Sequence, residues 1–345
     1  MITTVVGSFP KVAERGFGTK VIGAINRWQK HELTGDQLEQ VFQQTTRAVI
    51  KEQERAGLDV LTDGQIRWED LVTPIAKRLE GFEINGLERF FDNNVYYRKP
   101  ILQRAPVRRR PILLEEFLFA KRCTTTPIKV VLPGPYTMVM LSEDRYYRTP
   151  VAFLRRMAEL LNEEARALSD AGAVLIKFDE PALGFGPRPG AGILSMKQVI
   201  EAINIATQGL KSHTALSTYF GSLNGSLEAL QRCRVDVIGV DVVSDPKAIG
   251  AIKRLKWTKE LALGCVDARN TKLESVTELH ALFDVLRAVV PQDRWYVNPN
   301  CGLEFLPYEQ ARAKLHRLVE AVRLYVPTPR VSAQRTSRRT TVRSR

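Results

Sequence analysis

The chain has 345 residues, room for one large α/β domain or two smaller ones; with 44% hydrophobic and 26% charged residues, global disorder is excluded. No apolar run approaches the ~18 residues that span a bilayer, no basic and apolar leader opens the sequence, and the four cysteines, Cys123, Cys233, Cys265 and Cys301, form no CxxC pair and are too few for a disulfide scaffold. A cytoplasmic, reduced protein is expected. Of the net charge of +13, six units come from Arg330, Arg335, Arg338, Arg339, Arg343 and Arg345, in a stretch without an acid. This stretch reads as a solvated, disordered tail over 327–345, and the cluster of Arg104 with Arg108, Arg109 and Arg110 as a basic loop. No nucleic-acid-binding motif accompanies either, so no specific nucleic-acid partner is expected.

In chain order, short β-branched runs alternate with longer amphipathic ones. Eight strands are predicted: Ile2–Val6, Leu58–Thr62, Ile128–Leu132, Ala173–Phe178, Thr214–Tyr219, Val235–Val240, Leu261–Val266 and Trp295–Val297. Helices are predicted over Leu38–Ala56, Val151–Ala171, Ser195–Leu210 and Val276–Val290. In the second of these, Leu154, Met157, Leu160, Leu161, Ala165 and Leu168 recur at spacings of three and four, one helix face. The stretch from Gly81 to Thr126 interrupts the alternation and reads as a β-hairpin plus a short helix, Leu113–Lys121, lying over the rest. Each strand gives way to polar or Gly/Pro residues at its carboxyl end. A (β/α)8 TIM barrel gathers its site from all eight such ends, whereas an open sheet concentrates it at one switch point. No GxGxxG follows the first strand and no GxxxxGK[ST] occurs. The expected fold is one barrel over 1–326.

The strand ends supply the candidate chemistry. Gly7-Ser8 lets a ligand approach the backbone and offers a hydroxyl and N–H groups to a carboxylate; a plain turn is the other reading. Gln65, in Asp63-Gly64-Gln65, can donate to and accept from a polar ligand. Asp179-Glu180-Pro181 sets two carboxylates side by side, suited to binding an ammonium group, to acid–base work, or to capping a helix. Cys301, in Asn298-Pro299-Asn300-Cys301-Gly302-Leu303, suits a thiolate ligand or nucleophile, and its polar neighbours argue against burial. Cys265 and Asp267 share one strand face. The four histidines form no HExxH pattern; His213 opens strand five, at the bottom of the barrel.

Five of these pieces, in order and each at a strand end, resemble the cobalamin-independent methionine synthase family: Thr3-Thr4-Val5-Val6-Gly7-Ser8-Phe9-Pro10, Leu61-Thr62-Asp63-Gly64, Gly134-Pro135-Tyr136-Thr137, Asp179-Glu180-Pro181-Ala182-Leu183 and Val297 to Leu303. The chain is similar to the short, single-barrel members. The resemblance implies methyl transfer from a methyl-folate or methyl-corrinoid donor to the thiol of homocysteine. It implies Gly7 and Ser8 on the substrate carboxylate, Asp179 on its ammonium, Gln65 where the family often has Glu, Tyr219 in the same substrate set, and Asp267 and Glu180 as catalytic groups. It also implies zinc, which lowers the thiol pKa. Here the family's strand-five His and Cys fall at Leu216 and Thr218, its strand-six Glu becomes Asp241, and Cys301 is retained. The segments Thr218-Tyr219-Phe220-Gly221 and Val266 to Asn270 resemble instead the non-catalytic amino-terminal barrel of the long enzymes. The alternative function is therefore a zinc-poor barrel that binds folate or assists a second methionine synthase-like or corrinoid protein. A third reading, decarboxylation, follows from the related uroporphyrinogen decarboxylase-like barrels.

Overall fold

The structure, a computed structural model, describes residues 1–10, 17–90, 95–185, 194–223 and 225–327. The expected basic tail lies outside these residues.

The amino-terminal part runs through β1 (Ile2–Thr3), α1 (Phe17–Gln29), α2 (Gly35–Ala56) and α3 (Thr73–Ala76). The excursion follows, with β2 (Glu80–Arg89), β3 (Tyr96–Val107) and α4 (Leu114–Arg122). Alternation then resumes with β4 (Lys129–Pro133), α5 (Pro135–Met140), the short β5 (Glu143–Asp144), α6 (Pro150–Asp170), β6 (Leu175–Asp179) and α7 (Met196–Ala206). It ends with β7 (His213–Ser217), α8 (Leu227–Leu230), β8 (Val237–Asp241), α9 (Lys247–Arg254), β9 (Glu260–Val266), α10 (Val276–Leu286), β10 (Trp295–Pro299) and α11 (Tyr308–Leu324).

Seven strands form one parallel sheet in the order β1-β10-β9-β8-β7-β6-β4. Parallel bridges from Thr4 to Val60 and from Leu61 to Ile128 join its two edges through the short segment at Val60 and Leu61. That segment is the eighth strand, and the ring is closed. Every predicted strand coincides with one of the eight, and the helices follow each strand as a (β/α)8 barrel requires.

Register fixes what faces the barrel axis. Around the ring, Asp179 pairs with Ser217, Ser217 with Gly239, Gly239 with Ala262, and Ala262 with Tyr296. Leu175, Ala215, Val237 and Ala262 form a small apolar cluster of their own, with Tyr296 against it, and make the floor of the interior. The alternate residues Ile176, Phe178, Leu216, Ile238, Leu261, Leu263 and Val297 belong to the main core between sheet and helices.

Local sequence explains the helix boundaries. Thr34 with Gln37, Ser195 with Gln198, and Ser275 with Glu278 form capping boxes that start α2, α7 and α10. Gly57, at φ 83°, ends α2 in the left-handed conformation that glycine adopts at least cost.

The excursion is the expected hairpin and helix. Strands β2 and β3 are antiparallel, and β5 extends them to three. A single buried carboxylate ties it to the barrel: Glu164 of α6 accepts from Arg108 Nε at 2.7 Å and from the backbone N–H groups of Ile112 at 2.8 Å and Leu113 at 2.7 Å. The expected solvated basic loop is thus corrected in part, because Arg108 is drawn inward by Glu164 and Arg109 pairs with Glu80 at 3.0 Å. Among the described residues, no helix is long and apolar enough to cross a membrane.

Candidate active site

The carboxyl ends of the strands bring the predicted residues to one mouth. On β6, strand alternation separates the adjacent acids. Asp179 faces the barrel axis, where its carboxylate accepts from Lys177 Nζ and, at 3.1 Å, from the Tyr219 hydroxyl. Burial pushes both Lys177 and Asp179 toward their neutral forms, and their mutual attraction opposes it. Tyr219 is held well above its ordinary pKa, first by burial and then by the charges of Asp179 and Glu304.

Glu180 turns away from the axis, toward the start of α5. Its carboxylate accepts from Tyr136 N at 2.9 Å, Thr137 N at 2.7 Å and Thr137 Oγ1 at 2.6 Å. The side chain fills the space beside Gly134, where a Cβ would lie 2.1 Å from the carboxyl carbon. Burial raises its pKa from 4.5 to about 7, and the α5 hydrogen bonds only partly offset this. The helix-capping reading of Asp-Glu-Pro therefore describes Glu180, although the helix it serves precedes it in sequence.

At β1, Ser8 Oγ donates to Glu304 Oε2, and Leu303 N donates to the Ser8 carbonyl at 3.1 Å. Gln65 sits over Gly7, where a Cβ would come within 2.9 Å of Gln65 Oε1. The Gln65 backbone is left-handed, at φ 49°, and its N–H donates to Asp63 Oδ1 at 3.0 Å. Its Nε2 is buried without a hydrogen-bond partner among the described residues. An unpaired buried donor beside a cleft is a place where a ligand's acceptor is missing.

The three loops after β8, β9 and β10 are clamped together. Asp241 accepts from Val243 N at 3.0 Å, Ser244 N at 2.8 Å, Phe220 N at 3.2 Å and Asn300 Nδ2 at 3.3 Å. Asn300 also accepts from Ala268 N at 2.9 Å. Asp267 accepts from Arg269 N at 2.9 Å, while its own N–H donates to Glu274. On the rim, the Arg269 guanidinium lies 5.3 Å from the Phe220 ring and 5.1 Å from the Phe305 ring.

The metal positions do not make a zinc site. Leu216 is fully buried on the face turned to the helices. Thr218 Oγ1 donates to the Gly239 carbonyl at 3.3 Å. The Asp241 oxygens are taken by the loop N–H groups, and burial raises its pKa. Cys301 is fully buried, against the expectation from its polar neighbours, in the turn after β10 that closes on β1 through the bond from Leu303 N to the Ser8 carbonyl. Its thiol is pushed well above its ordinary pKa by burial and by the charges of Glu304 and Asp241. Cys265 belongs to the core outside the barrel, with Leu263, and burial raises its pKa also. Among the described residues, no group of three His, Cys, Asp or Glu side chains could hold a metal ion. Zinc needs at least three such ligands, so this donor set does not fit the ion. His213, at the bottom as expected, pairs with Glu260 at 2.8 Å.

Three titratable residues facing the barrel interior or its mouth were not singled out from sequence: Lys129, level with Leu175 of the floor, Lys177 and Glu304. Lys129 donates to the Val5 carbonyl, and burial together with the charge of Lys177 holds its pKa well below the ordinary value. The signal was a lysine inside each of two otherwise apolar strands, Ile128-Lys129-Val130-Val131 and Leu175-Ile176-Lys177-Phe178. Lysine is almost never fully buried unless paired.

A closed barrel whose titratable side chains converge at the carboxyl ends of its strands has the build of a barrel enzyme. The profile of the family described as "Cobalamin-independent synthase, Catalytic domain" matches residues 1–324. The methionine synthase of Sulfolobus acidocaldarius is 31% identical over 323 residues, covering 92% of this chain and 90% of that protein. That of Saccharolobus solfataricus is 29% identical over 324 residues, covering 93% and 94%. Among solved structures, the B12-independent methionine synthase from Shewanella sp. W3-18-1 in complex with selenomethionine superposes with a TM-score of 0.76 at 24% identity, covering 93% of this chain and 97% of that one. A methyltransferase from Methanosarcina mazei gives a TM-score of 0.59 at 16% identity, covering 92% and 94%. The chain belongs to the cobalamin-independent synthase family and, with it, to the methyltransferase class of enzymes.

Proposed function

We propose that this barrel transfers a methyl group from a methyl-folate or methyl-corrinoid donor to a thiol, with homocysteine as the acceptor that its family membership implies. The observation that carries this reading is the family match over nearly all of the described chain. The mouth is consistent with it. Ser8, Gln65, Asp179 and Tyr219 would form the acceptor end, with the Gln65 side chain lying over Gly7. The aromatic faces of Phe220 and Phe305, with Arg269 between them, give a planar donor a surface on which to stack.

A free thiol has a pKa of ~8.5 and is mostly protonated at neutral pH, so methyl transfer needs a means of forming the thiolate. In a zinc enzyme the ion does this, but the donor set here does not fit it. That misfit favours a second reading: the barrel is an accessory unit that binds folate or a second methionine synthase-like or corrinoid protein. In either case the site of action is the cytoplasm.

The test is turnover of homocysteine with methyl-tetrahydrofolate or a methyl-corrinoid, followed as methionine by mass spectrometry, alongside elemental analysis of the purified protein. Slow or absent turnover with far less than stoichiometric zinc is expected for the chain alone. Full turnover with stoichiometric zinc that is lost on Cys301→Ser would overturn the incomplete-site reading.

A further inference from the structure

Behind the acceptor end, between α4 of the excursion and the turn after the second strand of the ring, lies a cavity lined by Asp63, Gln65, Glu116, Phe117 and Lys129 among others. It offers about 20 Å³ to the centre of a water molecule, above the ~10–15 Å³ that a single water requires. Two of its lining side chains, Gln65 and Glu116, are 9% and 8% exposed. Each carries a buried polar atom with no hydrogen-bond partner among the described residues: Gln65 Nε2, a donor, and Glu116 Oε2, an acceptor. Lys129 does not fill the gap, since its Nζ donates to the Val5 carbonyl. Burial raises the Glu116 pKa, and the Arg78 guanidinium, bonded to its other oxygen at 2.5 Å, opposes this and favours the carboxylate. A buried donor and a buried acceptor on one small cavity select a molecule that accepts from the first and donates to the second. A cation would meet the amide N–H and an anion would meet the carboxylate, whereas water satisfies both.

We propose that this cavity is a binding site for one water molecule, which accepts from Gln65 Nε2 and donates to Glu116 Oε2, and that Glu116 is thereby a positioning residue for Gln65. The bridge decides which way the amide points. A carboxylate at its far end takes only donors, so the amide nitrogen turns toward α4. The amide oxygen is left over Gly7, where a Cβ would lie 2.9 Å from it. An oxygen in that place accepts from the ammonium of an amino-acid substrate, and the reversed amide would set N–H groups against it. The proposal rests on the reading of Gln65 as part of the acceptor end, and it keeps homocysteine as the acceptor. It also gives the excursion a part in the site, because α4 holds the carboxylate that orients a side chain of the mouth.

Two measurements test this. A crystal structure of the wild-type protein should show one water within hydrogen-bond distance of both Gln65 Nε2 and Glu116 Oε2. A direct bond between the two side chains, or a cavity without density, would overturn the bridge. Calorimetry then reads the positioning role in Glu116→Gln, a variant of the same size. Its amide oxygen stays with Arg78 and its nitrogen faces the cavity, which reverses the polarity of the bridge and turns the Gln65 amide over. Methionine should bind about tenfold more weakly than to the wild type, the scale of one hydrogen bond. Methionine lacking its ammonium group should change Kd by less than about threefold. Equal weakening toward both ligands, or no change toward either, would make Glu116 a structural tie of α4 and overturn the positioning role. Should Glu116→Gln fail to fold, the wild-type crystal structure still decides the bridge. A water in place with no binding of methionine by the wild type would overturn the acceptor-end reading and leave the bridge standing.

Discussion

Asp179 and Glu180 are neighbours in sequence with opposite fates, and each carries a prediction. Glu180 has a folded pKa of about 7 against 4.5 in the unfolded chain, so the native state binds the extra proton between these values. Its contribution to stability is therefore fully present below pH ~4.5 and is lost as pH rises through ~7. Melting temperatures measured across that window should fall with rising pH in the wild type, and Glu180→Gln should flatten the slope; an unchanged slope would show that other groups set it. Asp179→Asn removes the charge to which buried Lys177 is bonded, and should cost about 3–5 kcal/mol in urea denaturation. The pair of acids was legible in the sequence. Their separation was not, because it comes from β6 ending where one side chain meets the barrel axis and the next meets α5.

The excursion between the second and third strands of the ring is held in part by one buried carboxylate. Glu164 lies fully buried on α6 and accepts from a guanidinium and two backbone N–H groups, all three from the excursion. Glu164→Ala would leave Arg108 without its buried partner and two N–H groups unsatisfied. A loss of about 3 kcal/mol is expected, with hydrogen-exchange protection falling first at Ile112 and Leu113; uniform loss of protection across the chain would argue against a local pin. A second tie holds the loop that carries Asp267. Lys314 of α11 donates to both Glu274 oxygens at 2.9 Å, and Glu274 accepts from Asp267 N at 2.8 Å. Lys314→Met should loosen that loop and reduce methyl transfer through kcat more than through KM, as steady-state kinetics would read. The hairpin and helix were legible from length and pattern. Glu164 as their anchor was not, because a glutamate in a helix reads as solvent-facing until the segment that covers it is in place.

For the whole molecule, the ring closes through the short second strand at Val60 and Leu61, and no three His, Cys, Asp or Glu side chains among the described residues could hold a metal ion. Chelation should accordingly leave the melting temperature within ~1 °C of the untreated protein; a fall of several degrees would mean that a metal contributes folding free energy. The sequence by itself determined the barrel: β-branched runs alternate with helical stripes, and polar residues at every strand end place the site at one face. It also determined which groups could meet there, since strand ends of a barrel converge whatever lies between them. Only the tertiary structure decided which of those groups remain available to a ligand. Lys177 and Asp179 share a strand face by alternation alone, but Glu304 reaches Ser8 from 296 residues away through the closure of β10 against β1. Cys301 is buried by the same closure. Charge pairing and burial depend on distances across the ring, and sequence order does not carry those distances.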